Sequence, residues 1–293
     1  MCGRRLIVKN NALSSNAFIG CETSYEEAEI VLFGSPFDGT TSFRPGTRFA
    51  GQAIRPDSYG LETYSPYLDK DLEDASVFDG GDLELPFGNT ERVLQQIGTF
   101  STEVLADGKK FLMIGGEHLV SLPSIRAAYD KFPDLHVIHI DAHTDLREDY
   151  MGEPLSHASV IRRCHDFLGD GRIYQFGIRS GLKSEFEWAK THTHLEKFTL
   201  DTLADVVQSL KDVPVYVTID LDVLDPGTFP GTGTPEPGGI TYRELLTAIG
   251  QLQTLRNIVA ADVVELSPQY DPSGASTAVA CKTIREMLLT LSK

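Results

Sequence analysis

The stretch LHVIHIDAHTD at 135–145 decides the fold. Its first six residues are apolar or aromatic and free of formal charge, the composition of a strand covered on both faces, as in a parallel sheet flanked by helices. Asp141, His143 and Asp145 follow at once, spaced two apart, so that in extended backbone they can share one direction. Two carboxylates and an imidazole at the end of a buried strand are costly unless a cation compensates them.

Outward from this stretch the same grammar repeats. Apolar, β-branched runs at 29–33, 110–114, 172–176, 215–219 and 258–264, with a weaker one at 76–78, alternate with segments of helical periodicity near 90–107, 120–131, 183–190, 241–254 and 276–291. Strands alternating with helices predict an α/β architecture with three αβα layers and a mostly parallel central sheet. No linker, solenoid-period repeat or low-complexity tract interrupts the alternation, so one domain over 1–293 is expected. Parallel sheets place their sites at the carboxyl ends of the strands.

Two more strand ends carry chemistry. VYVTI at 215–219 runs into DLDVLDP at 220–226, which again offers carboxylates at i and i+2, Asp220 and Asp222. Asp225, before Pro226, reads as a turn former. KFLMI at 110–114 runs into GGEH at 115–118, where the glycines permit a tight turn presenting His118. The candidates His118, Asp141, His143, Asp145, Asp220 and Asp222 contain no thiolate, so the set is unlike structural zinc and suits a carboxylate-bridged pair of divalent ions such as manganese.

Composition narrows the rest. The chain has 42 acidic and 26 basic residues, a formal charge of −16, which disfavours nucleic acid and anionic membranes and favours a small cationic substrate. Cys2, Cys21, Cys164 and Cys281 form no CxxC pair, as for reduced thiols in the cytoplasm, and Cys164 reads as inert. The N-terminal MCGRRLIVKNNALSS lacks the apolar core of an export signal, and no later run is long enough to span a membrane. His136 and His139 read as packed or hydrogen bonded, and His165, His192 and His194 as surface positions. GTGTPEPGG at 231–239 is no phosphate-binding loop, since prolines interrupt it, and reads as a loop over the metal site.

GGEH at 115–118, DAHTD at 141–145, SHAS at 156–159 and DLDVLDP at 220–226 together resemble the ureohydrolase family of arginases, agmatinases and related amidinohydrolases. SFRPGTRF at 42–49, YSPYLDKDL at 64–72, GEPLSHAS at 152–159 and PGTGTPEPGGI at 230–240 are most similar to the bacterial agmatinases. The resemblance implies two manganese ions per subunit, one held by His118, Asp141, Asp145 and Asp220, the other by Asp141, His143, Asp220 and Asp222. It further implies that Asp145 accepts a proton during catalysis, that His157 shuttles protons, and that Glu265 pairs with the substrate guanidinium. Agmatine would give putrescine and urea. Arg147 stands where arginases usually carry an asparagine that binds the α-amino acid end, which weighs against arginine while leaving guanidinobutyrate and formimino substrates open, as well as an inactive metal-binding homologue. The family also implies a homo-oligomer, trimeric or hexameric. The loop at 42–49, with Arg44 and Arg48, fits either the mouth of the site or an oligomer contact.

Overall fold

The structure, a computed structural model, describes residues 17–292. Cys2 and the N-terminal segment read above as lacking an export signal lie outside the described residues. In chain order the elements are β1 (Ile30–Ser35), α1 (Ala50–Ser58), a hairpin of β2 (Tyr64–Ser65) and β3 (Lys70–Asp71), β4 (Val77–Asp82), α2 (Thr90–Ala106), β5 (Lys110–Gly115), α3 (Ser121–Lys131) and β6 (His136–Ile140). Then come α4 (Val160–Leu168), β7 (Ile173–Ile178), α5 (Lys183–His192), β8 (His194–Lys197), α6 (Leu203–Ser209), β9 (Val215–Asp220), α7 (Tyr242–Leu252), β10 (Ile258–Val264) and α8 (Ala275–Leu291).

Eight strands form one sheet in the order β4-β1-β5-β10-β9-β6-β7-β8, and every pairing within it is parallel. Side chains alternate between its faces, as the pleat requires. Ile30, Leu32, Leu112 and Ile114 join a core with α1, α6, α7 and α8. Val31, Phe33, Phe111 and Met113 join a second core with α2, α3, α4 and α5. These two apolar layers make the αβα sandwich expected from the sequence, and each fully buried Phe or Leu contributes roughly 1.5–3 kcal/mol of transfer free energy.

Every predicted strand and helix forms, with ends shifted by a few residues at most. The sequence reading missed α1, α4, α6, β8 and the short β2–β3 hairpin. Pro56 inside α1 disguises a helix, and β8 (HLEK) is a polar edge strand with no buried residue, as edges are commonly built. The described cysteines Cys21, Cys164 and Cys281 are buried and free. No helix among the described residues is long and apolar enough to cross a membrane.

Candidate metal centre

The four strands β5, β10, β9 and β6 are neighbours in the middle of the sheet, and their carboxyl ends bring the sequence motifs together. Register sets the level: Val264 pairs with Asp220, and Ile219 with Ile140, so Asp141, Asp220 and Glu265 leave adjacent strands almost side by side. After β5 the chain turns tightly. A side chain on Gly116 would place its Cβ 1.8 Å from the Phe37 carbonyl oxygen, and Glu117 N–H donates to that same oxygen at 2.8 Å. The glycine is therefore demanded by close backbone approach.

Asp145 and Glu265 adopt left-handed backbone, φ 51° and 68°. Asp tolerates this region better than Glu does, and such conformations persist only where the surroundings enforce them. Around Asp145, its carbonyl accepts Ile161 and Arg162 N–H, 3.1 Å each, while buried Glu185 takes Thr144 Oγ1 at 2.7 Å and Leu146 N at 3.1 Å. Glu265 donates its N–H to Gly116 O at 3.0 Å, and its Oε1 accepts His118 N–H at 2.8 Å.

His118 Nδ1 faces three carboxylate oxygens, Asp141 Oδ2 at 3.0 Å and Asp145 Oδ2 and Asp220 Oδ2 at 3.3 Å each. His143 Nδ1 lies 3.0 Å from Asp222 Oδ2 and 3.5 Å from Asp141 Oδ1. Asp141 thus turns one oxygen to each imidazole. Although so closely surrounded, the fully buried His118 Nδ1 makes no hydrogen bond of acceptable geometry. Ligand atoms about 2.1 Å from a shared octahedral cation and at right angles lie about 3.0 Å apart, which is the spacing seen here. An orphaned imidazole nitrogen beside three carboxylates fits a cation better than it fits a proton.

The electrostatics agree. Burial pushes Asp220 well above the usual carboxylate range, with Asp222 and Asp141 adding to it, and burial and Asp141 also raise Asp145. Burial opposes a charge on His118, but the carboxylates of Asp141, Asp145 and Asp220 outweigh it and raise His118 well above its ordinary value. Asp141 is held well below its own, because His139, His118 and His143 outweigh burial. Buried carboxylates pushed apart in this way mark a site built for extra positive charge. The two groupings His118, His139, Asp141, Asp145 and Asp141, His143, Asp222 bring ligand atoms close enough to hold metal ions.

His139, read from the sequence as packed or hydrogen bonded, is a buried hydrogen-bonding partner of the cluster. Its Nε2 lies 2.7 Å from Asp141 Oδ2. The Gln175 amide donates to the Thr144 carbonyl at 2.8 Å and to His139 Nδ1 at 3.1 Å. Network assignment therefore puts the His139 proton on Nε2, aimed at Asp141. Neither nitrogen is left for a metal, so His139 orients Asp141. Residues like this and Gln175 carry no motif, which hides them in a sequence.

A cavity of about 280 Å³ opens over the cluster, its wall including His143, Asp145, Arg147, Tyr150, His157 and Thr234. His118, Asp141, Asp220, Asp222 and Glu265 are buried and do not line it. A larger groove of about 850 Å³ lies away from them, against α2, α3 and α4. Thr234, from the loop at 231–239, donates to Asp222 Oδ2 at 3.2 Å, so that loop does reach the site. Ser42 places the loop at 42–49 at the mouth, its N–H donating to His157 Nε2 at 3.2 Å. Burial, reinforced by His143, lowers His157 to about 4. Asp225 accepts the N–H groups of Gly227 and Gly238, each at 2.9 Å, the turn role read from its place before Pro226. His194 is exposed, while His165 and His192 are half-buried around Trp188.

A parallel αβα sheet with a His/Asp cluster at its carboxyl edge able to bind metal ions defines a class of metal-binding α/β enzymes. The arginase family model matches residues 28–290, and the chain belongs to the arginase family. It is 51% identical over 287 residues to the agmatinase of Bacillus subtilis, covering 97% of this chain and 99% of that one. A solved chain from Clostridium difficile superposes with a TM-score of 0.90 at 52% identity, covering 92% of this chain and 98% of its own. The mitochondrial guanidino acid hydrolase of Homo sapiens is 33% identical over 285 residues, 93% of this chain and 81% of that relative.

Proposed function

We propose that this chain hydrolyses agmatine to putrescine and urea with a pair of manganese ions. The observation that carries the reading is the buried His118 Nδ1, without a hydrogen bond and ringed by Asp141, Asp145 and Asp220, in a chain half identical to a bacterial agmatinase. His118, Asp141, Asp145 and Asp220 would hold one ion and Asp141, His143, Asp220 and Asp222 the other, with Asp141 and Asp220 shared. When bound, such a pair lowers the pKa of water from about 15.7 towards roughly 7, supplying a nucleophile at neutral pH.

The chain's own residues do the rest. Glu265 positions the planar guanidinium, a geometry suited to a carboxylate fork. Its Oε1 already accepts His118 N–H, so Oε2 is the freer oxygen. Asp145, which faces His118 and lines the cavity, would accept the nucleophile's proton and deliver it to the leaving amine. His157 stands on the cavity wall beside Ser42 and exchanges protons with solvent. Because it is held near 4, it rests neutral and gives up any proton it takes, a stronger bias than its unperturbed value of about 6.5 allows.

The same proposal includes one domain over 1–293, a cytoplasmic location and a homo-oligomer, trimeric or hexameric. One observation favours a second reading. Arg147, a cation stacked 5.1 Å from the Tyr150 ring, lines the cavity and could pair with a substrate carboxylate, as a guanidino acid would require. Urea release from manganese-loaded protein, with agmatine, arginine and 4-guanidinobutyrate compared, tests both. Agmatine is expected to be preferred. Preference for 4-guanidinobutyrate selects the second reading, and no urea from any substrate ends both.

A further inference from the structure

Behind His118, on the side away from the carboxylates, runs a buried hydrogen-bond chain. Asp262 on β10 pairs in register with Thr218 on β9, and Tyr216 projects from the same face of β9 two residues earlier. Tyr216 OH donates to Asp262 Oδ2 at 2.7 Å, Thr218 Oγ1 donates to Asp262 Oδ1 at 2.6 Å, and His118 Nε2 lies 2.9 Å from Thr218 Oγ1. Tyr216, Thr218 and Asp262 are fully buried.

We infer that Thr218, oriented by Asp262, is a positioning residue that fixes the His118 tautomer and so sets the affinity of the metal position that His118 serves. An ionised Asp262 can only accept, and buried oxygens left without donors are costly, so the Tyr216 and Thr218 hydroxyls each give their proton to one of its oxygens. A threonine has one hydroxyl proton; with that given to Asp262, its oxygen can only accept from His118. The neutral ring therefore keeps its proton on Nε2, which leaves the Nδ1 lone pair free for a cation held together with Asp141, Asp145 and Asp220. A ring with the opposite tautomer would present N–H to the cluster and could not ligate. Partners of this kind behind a ligating imidazole typically tune metal affinity by 10- to 100-fold.

The inference rests on the reading of the cluster as a metal pair, and the test separates the two. Manganese binding is measured by equilibrium dialysis and by electron paramagnetic resonance on the full chain, on Thr218→Val, which keeps the shape and removes the hydroxyl, and on Thr218→Ser, which restores it. Unfolding midpoints of the metal-free proteins control for packing, and Thr218→Ala takes the place of Thr218→Val if the latter does not fold. The unmodified chain is expected to bind two ions with a spin-coupled spectrum. In Thr218→Val one ion is expected to bind on the order of 10- to 100-fold more weakly, leaving a single-ion spectrum at limiting manganese, while Thr218→Ser recovers the pair. Two ions bound by Thr218→Val with unchanged affinity overturn the inference and leave the metal reading standing. No manganese bound by the unmodified chain overturns both.

Discussion

The backbone N–H of His118 donates to Glu265 Oε1 at 2.8 Å, joining the turn after β5 to the end of β10. Glu265 serves that bond from a left-handed backbone, φ 68°. Glutamine keeps an acceptor for His118 but loses the charge. Glu265→Gln is expected to fold and to bind manganese normally, with kcat/KM for agmatine reduced on the order of 10- to 100-fold, the worth of one charge-assisted hydrogen bond. Steady-state kinetics beside metal analysis check this; unchanged kinetics would remove Glu265 from substrate binding.

Glu117 offers a test through pH. Burial pushes its carboxyl up to about 7, against the donors of Thr40 and Thr41, whose hydroxyls and amide surround it. An acid raised in the folded state holds a proton that the unfolded chain has lost between pH ~4.5 and ~7. Its contribution is full below ~4.5 and fades as pH rises through ~7, by at most about 3 kcal/mol. Denaturant titrations from pH 4 to 8 should show Glu117→Gln gaining stability relative to the parent as pH rises; parallel profiles would count against the buried, protonated Glu117.

His157 has the opposite sign. A histidine lowered to about 4 stays neutral when folded and protonates when unfolded between about 4 and 6.5, so its contribution is present above ~6.5 and is lost as pH falls through that window. His157→Asn should therefore reduce proton uptake on unfolding near pH 5 by about one proton, read by calorimetry in buffers of different ionisation enthalpy. The same variant should lose on the order of 100-fold or more in kcat, as removal of a general acid–base group does.

Chelation should cost stability. Ions that bind only the folded chain add RT ln(1 + [L]/Kd), about 4 kcal/mol at a thousandfold excess over Kd, so manganese should raise the unfolding midpoint and a chelator should reverse it. Asp141→Asn should abolish most of the manganese response, since Asp141 faces the imidazoles of both His118 and His143. An equal midpoint shift in Asp141→Asn and the parent would place the ions elsewhere.

The sheet and the motif residues could be read from the sequence because both depend on local pattern: apolar runs mark covered strands, and carboxylates two apart mark their ends. Thr218, Asp262 and Tyr216 were hidden because they lie inside those runs, where polar side chains look like ordinary strand residues until the β9–β10 register pairs them. Glu117 reads only as part of a turn, and His139 as packed or hydrogen bonded with no partner named, because their partners Thr40 and Gln175 lie 77 and 36 residues away. Helix α1 was lost to Pro56. Arg147 could be noticed in the sequence, but only the structure puts it on the cavity wall, stacked on Tyr150.

The sheet order has a consequence for any shortened chain. β10, the last strand in the chain, lies between β5 and β9, while β9 pairs directly with β6. A chain stopped before residue 258 therefore lacks the strand that ties β5, and with it His118, to β9 and its two aspartates.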